Sequence, residues 1–178
     1  DSSPWVMPGN YTIKLTVGGK TYSQPLVVRM DPRVKTSMAD LQQQFDKSMQ
    51  AYQEAMSASQ ALGQVRDMEK QVAARKSSEK LAAYEKQLEA LSGPKASSPF
   101  EFFAHRGPPN LGSVGGDLQM LMMRMQGADR APTAADLAAL GKTHGELKSL
   151  MDRWDTLKGQ PLADVNRALR QQRDAPLV

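Results

Sequence analysis

The segment YTIKLTVGGKTYSQPLVVRM, residues 11–30, decides how the start of this chain folds. Apolar and polar side chains alternate along its first half, which is typical of a strand with one buried face. Gly18 and Gly19 follow, and glycine readily adopts the positive φ that both central residues of a type I′ turn require. The segment therefore predicts a β-hairpin.

The turn also predicts the register of the two strands. A two-residue turn places the apolar side chains of both strands on the same face of the hairpin. The expected pairs are Val17 with Lys20, Leu15 with Tyr22, and Tyr11 with Leu26. Pro25 has no N–H to donate to a ladder, so we expect it at an edge or a bulge.

Residues 8–11, Pro-Gly-Asn-Tyr, are typical of the turn into the penultimate strand of an immunoglobulin- or fibronectin-like sandwich. In such domains a tyrosine near the strand start fixes the corner. We therefore interpret residues 1–33 as the remnant of a truncated β-sandwich. The alternative is a hairpin that simply packs on the helices. Because a lone hairpin is marginal in water, and the sequence opens with Asp1, we expect the chain to be the C-terminal part of a longer protein.

Residues 34–178 predict a helical bundle, because apolar residues recur there at spacings of three and four. The fold class is mainly α, an antiparallel bundle with long, coiled-coil-like helices preceded by the hairpin. Gly63 is the expected place for a bend in the first helix. The predicted helices span about 37–75, 77–91, 113–126, 133–158 and 161–172.

Each of the first four helices carries an apolar stripe that we expect to face the core. In the first helix the stripe is Met38, Leu41, Phe45, Met49, Tyr52 and Met56, continued by Leu62, Val65, Met68 and Val72. In the second it is Leu81, Tyr84, Leu88 and Leu91, and in the third Leu118, Leu121, Met122 and Met125. In the fourth it is Leu137, Leu140, His144, Leu147, Met151, Trp154 and Leu157.

Residues 93–112 predict an irregular loop that carries Phe100, Phe102 and Phe103. Three phenylalanines in four positions are unusual for a disordered segment and favour docking on an apolar surface. That surface is either the bundle itself or a partner protein. The three side chains are therefore the candidate partner-docking residues of the chain.

Composition and charge exclude several classes of protein. The net charge of +4 is spread along the chain without a basic stripe, which argues against a nucleic-acid binder. The chain has no cysteine, so disulfides and thiolate metal sites are excluded. It also has no run of 18 apolar residues, so we expect no membrane span.

The sequence contains no recognisable arrangement of catalytic or ligating residues. His144 lies in an apolar stripe, where a core or boundary histidine is the usual interpretation. The glycines of residues 112–116 precede a helix, but no strand leads into them as in phosphate-binding loops. The methionines of residues 120–125 fit core packing better than Cu(I) ligation. We therefore expect no catalytic residue, no metal and no cofactor in this chain.

Two segments carry a resemblance to a known family. The first is PGNYTIKLTVGGKTYSQPLVVRMDPRV, residues 8–34, and the second is GADRAPTAADL, residues 127–137, with RWDTLKGQPLADVNRALR after it. Together with the Gln- and Ala-rich helix between them, they resemble the C-terminal region of large bacterial sialidase-like, BNR-repeat glycosyl hydrolase proteins. The resemblance spans nearly the whole chain.

The resemblance implies a secreted or periplasmic parent with a β-propeller, then a small β-sandwich, then a helical tail. It makes this chain a non-catalytic structural and interaction domain whose partner is its own propeller. It leaves open whether the parent hydrolyses glycans, and no catalytic residue carries over to this chain. The alternatives are an accessory domain that assists glycan hydrolysis and a free-standing helical oligomerisation module. A homodimer through the hairpin or the long helix is a further expectation.

Overall fold

The computed structural model is mainly helical and begins with a two-stranded hairpin, which confirms the predicted fold class. It describes residues 3–76, 78–94 and 107–178. The antiparallel strands are β1, Gly9–Val17, and β2, Lys20–Val28. The helices within the described residues are α1, Met38–Ala73; α2, Glu79–Ser92; α3, Leu111–Met125; α4, Ala134–Lys158; and α5, Gln160–Gln171. Each begins and ends within two residues of its predicted bounds.

Helix α1 is the longest element and forms one side of the bundle. Ser37 caps it by accepting from the backbone N–H of Asp40. Its 36 residues give a length of about 54 Å at 1.5 Å per residue. The helix continues through Gly63 without interruption, and a Cβ atom at that glycine would meet nothing within 4 Å.

Helix α3 runs antiparallel to α1 and lies very close to it. Gln44 of α1 reaches the Met125 carbonyl at one end of the pair, and Ala58 faces Gly115 near the other. A Cβ atom built on Gly115 would lie 3.4 Å from the Cβ atom of Ala58. This spacing leaves room only for small side chains along the α1 seam, so the two helices pack closely.

Because α1 and α3 pack so closely, the apolar stripe predicted to face inward in the first half of α1 is partly wrong. Met38 and Met56 are exposed, whereas Phe45, Met49 and Tyr52 are only half-buried. Large side chains were expected inward because they are the most hydrophobic, but the close approach of α3 excludes them. The buried positions of this half are Leu41, Gln44, Ser48, Ala51, Ala55, Ala58 and Ala61.

Helices α2 and α4 complete the core. The four predicted core residues of α2 and the four of α3 are all buried. Burial raises the pKa of Tyr84 on α2 to about 12. Helix α4 runs parallel to α1, because His144 contacts Glu54 and Trp154 contacts Gln64, in each case ninety residues apart.

The predicted stripe of α4 is wrong at three positions. His144 is exposed, and Leu137 and Met151 are half-buried. Asp136, Thr143 and Leu150 are buried in their place. The buried residues follow one another at alternating spacings of four and three. A stripe made of apolar residues leaves out the polar Asp136 and Thr143. The buried set is Asp136, Leu140, Thr143, Leu147, Leu150, Trp154 and Leu157.

After α5 the chain returns to the C-terminal end of α1 without forming a further helix or strand. The side-chain amide of Asn166 exchanges two hydrogen bonds with the backbone of Leu177, at 2.7 and 3.0 Å. Gln71 on α1 does the same with the backbone of Val178, at 2.8 and 2.9 Å. The Leu177 side chain is 2% exposed, so this terminal segment belongs to the core.

Candidate functional site

The hairpin has the predicted turn and register. Gly18 and Gly19 have φ values of 57° and 77°, as a type I′ turn requires. The three predicted pairs are confirmed, and the pairing continues without a bulge to Gly9 and Val28. Pro25 faces Thr12 across the ladder of this two-stranded sheet, where each strand is an edge. The edge position expected for the proline is therefore confirmed.

One face of the hairpin is apolar and exposed. Ile13, Leu15 and Tyr22 are 53%, 59% and 60% exposed. This finding contradicts the alternative in which the hairpin packs its apolar face on the helices. We call this surface the hairpin face. Its apolar side chains are Tyr11, Ile13, Leu15, Val17, Tyr22 and Leu26.

The tyrosine at the start of β1 makes the contact expected of a corner residue. Its hydroxyl donates to the backbone carbonyl of Met7, four residues upstream, at 2.6 Å. In immunoglobulin-like domains a tyrosine at the start of the penultimate strand hydrogen-bonds to the backbone in this way. Tyr11 therefore fixes the entry of the chain into β1, and the corner itself is as predicted.

The base of the hairpin rests on the ends of α1 and α3. The backbone N–H of Trp5 donates to the Gln126 side chain at 2.5 Å, and Thr36 donates to the carbonyl of Asp129. A cavity of about 40 Å³ lies between these segments, and the buried Ser48 hydroxyl at its wall has no partner among the described residues. The hairpin is thus attached at its base and exposed along its length.

Among the described residues, the other candidates do not come together into a site. Phe100, Phe102 and Phe103 lie outside the described residues. The His144 ring lies on the surface and pairs through Nδ1 with a Glu54 carboxylate oxygen at 2.8 Å. The methionines of residues 120–125 divide between core and solvent, so they do not converge on one ion. The glycines of residues 112–116 lie inside α3, where Gly115 permits the close approach to α1.

A cleft between α1 and α2 brings three carboxylates together beside Lys70. It has a volume of about 450 Å³ and is lined by Glu69, Glu85 and Glu89. The Ser92 hydroxyl donates to the Glu69 carboxylate at 2.5 Å, so this buried group has a partner. Across residues 3–76, 78–94 and 107–178, no group of three or more His, Cys, Asp or Glu side chains is arranged to hold a metal ion.

Comparison with known proteins does not assign this chain to a family. The chain matches no protein-family model, no curated protein and no solved structure. The resemblance to sialidase-like proteins therefore stays a prediction. Among the helices of the described ranges, none combines the length and apolar character needed to cross a membrane.

Sequence reasoning missed the partners that orient the hairpin. Gln126 acts through its side-chain amide, which accepts from Trp5, and Met7 acts through its carbonyl, which accepts from Tyr11. Glutamine in a polar-rich sequence carries no signal of such a role. The backbone carbonyl of Met7 depends on the turn conformation rather than on residue type.

Proposed function

We propose that this chain is a non-catalytic structural and interaction module in which the hairpin supplies two strands of an immunoglobulin-like β-sandwich. The remaining strands come from polypeptide outside the described residues, and the helical bundle anchors the hairpin. The observation that carries this proposal is the Tyr11 corner bond at the start of a strand whose apolar face is exposed.

The size of the hairpin face supports the proposal. Its six side chains expose on the order of 500 Å² in total, which equals the largest apolar patch of a typical monomer. A two-stranded hairpin is also marginally stable by itself. A second β-sheet packed on this face would bury the apolar surface and stabilise the strands.

The finer part of the proposal concerns the protein to which the module belongs. We assign it to the C-terminal end of a larger secreted or periplasmic sialidase-like, BNR-repeat protein, where it packs against its own β-propeller. The support for this part is the resemblance of residues 8–34 and 127–137. Any glycan-cleaving chemistry then belongs to the propeller.

Trypsin digestion tests the proposal, because Lys14 and Lys20 are tryptic sites within the hairpin. The isolated 178-residue chain and the complete gene product from its own cell are digested side by side. We expect rapid cleavage after both lysines in the isolated chain and protection of both in the complete product. Intact α1 and α4 in both digests control for global unfolding. Equal cleavage in the two proteins would overturn the proposal.

A further inference from the structure

The two free edges of the hairpin are chemically different. Val17 and Lys20 flank a two-residue turn, so they form a hydrogen-bonded pair. Hydrogen-bonded and non-hydrogen-bonded pairs alternate along an antiparallel ladder. The outward-facing backbone groups therefore belong to the pairs Thr16 with Thr21, Lys14 with Ser23, Thr12 with Pro25, and Asn10 with Val27.

Pro25 occupies one of these outward positions on β2. It has no N–H, so the edge of β2 lacks a donor at its centre and carries a pyrrolidine ring there. Proline at such a position prevents the pairing of another strand. On β1 the outward residues are Asn10, Thr12, Lys14 and Thr16, and each of them keeps its N–H. Only the β1 edge presents an uninterrupted row of donors and acceptors.

Given the function proposed above, on which this step rests, we infer that the partner strand pairs with the free edge of β1 and that the same β-sheet partner covers the hairpin face. In immunoglobulin-like sheets the strand with the corner tyrosine lies between the last strand and a third strand. β1 carries the corner tyrosine, and β2 follows it as the last strand.

The exposed area decides between the occupants of this surface. An isolated peptide strand on β1, or a second copy paired edge to edge, leaves the hairpin face uncovered. A second copy packed face to face covers that face but leaves the β1 edge unpaired. A sheet layer packed on that face buries on the order of 1,000 Å² in total from the two partners, which approaches the size of a stable interface. Under the proposed function, the occupant is therefore a two-layer β-structure, and it comes from the same gene product.

Two proline substitutions on opposite edges test the assignment. Thr12→Pro removes an outward-facing backbone N–H from β1, and Ser23→Pro removes one from β2. Neither substitution removes a hydrogen bond between β1 and β2. Both are introduced into the complete gene product, and cleavage after Lys20 is followed. We expect Thr12→Pro to raise the cleavage rate at least roughly tenfold, as loss of a buried strand hydrogen bond predicts. Ser23→Pro is expected to leave it at the wild-type value.

The remaining outcomes contradict different parts of the inference. If wild-type complete product is cleaved as fast as the isolated chain, the proposed function fails. If the wild type is protected, the proposed function stands. The edge assignment then fails in three cases: only Ser23→Pro loses protection, both variants lose it, or neither variant loses it. A protected product with twice its chain mass in sedimentation identifies a second copy as the occupant and also overturns the inference.

A structural control keeps the comparison valid. NMR contacts between Leu15 and Tyr22 in the isolated chain show whether each variant still forms the hairpin. Where a variant does not, the same comparison uses Thr16→Pro and Thr21→Pro. These two residues face each other and share one side-chain hydrogen bond of 2.9 Å, and cleavage is then followed at Lys14.

Discussion

At the residue scale, Asp136 connects the start of α4 to the end of α3. One carboxylate oxygen accepts from the Thr133 hydroxyl and backbone N–H, at 2.7 and 3.0 Å, and the other accepts from Arg124 Nε at 2.7 Å. The bond from the Thr133 side chain is the main reason that the pKa of this carboxyl lies below its usual value. Burial opposes that shift, while the Thr133 N–H and Arg124 add to it.

We predict that Asp136→Asn lowers the free energy of unfolding at pH 7 by about 1 kcal/mol. A depressed pKa means that the ionised carboxylate contributes stability above about pH 4 and loses that contribution as the pH falls through the folded-state pKa. The difference between wild type and variant should therefore shrink below pH 4 in urea unfolding. Asp152→Asn, on an exposed ion pair of α4, is the control. A difference that is constant with pH would contradict this role.

At the element scale, the α1–α3 seam depends on the absence of large side chains. Sequence periodicity located both helices to within two residues, because caps and spacing are local signals. It misplaced the inward face of α1, because the distance between two helices is a tertiary property. Ala55 and Ala58 are less hydrophobic than Met56, yet only they fit beside Gly115.

We predict that Gly115→Leu destabilises the protein by about 1–3 kcal/mol, because the added side chain forces α1 and α3 apart. Gly141→Leu is the matched control, since nothing lies within 4 Å of a Cβ atom at that helical glycine. It should stabilise the protein by up to about 1 kcal/mol through helix propensity. Equal effects of the two substitutions in urea denaturation would show that the seam is not close-packed.

The C-terminal segment after α5 gives a second prediction at the scale of elements. Leu177→Ala should lower the free energy of unfolding by about 2 kcal/mol, because its side chain is buried and its backbone is held by Asn166. Val178→Ala should have no measurable effect, since that side chain is 90% exposed. Thermal unfolding of both variants checks this. Similar melting temperatures for the two would mean that the segment is not docked in solution.

At the scale of the whole molecule, the helices pack into a bundle, and the hairpin attached to that bundle keeps its apolar face exposed. We predict that the isolated chain self-associates as its concentration rises, because the hairpin face then packs on a second copy. Leu15→Lys should suppress this association, whereas Lys14→Leu, on the polar face, should not. Light scattering over a concentration series measures it. A monomeric mass at every concentration in wild type would contradict the prediction.

The hairpin shows how far the sequence predicts a site. Turn, register and corner bond follow from Gly18, Gly19 and Tyr11, because each depends on residues close in the chain. The attachment of the hairpin base to Gln126 joins residues 121 positions apart, and no local pattern carries that contact. What covers the hairpin face is a matter of tertiary contacts that no local pattern carries, so it enters here as a proposal.

Hydrogen–deuterium exchange of peptides covering residues 9–28 tests the central claim most directly. The claim is that these strands form part of a larger β-structure in the complete gene product. We predict fast exchange of these amides in the isolated chain and exchange slower by at least roughly tenfold in the complete product, with the helices equally protected in both. Hairpin amides that exchange equally fast in the two proteins would contradict the claim.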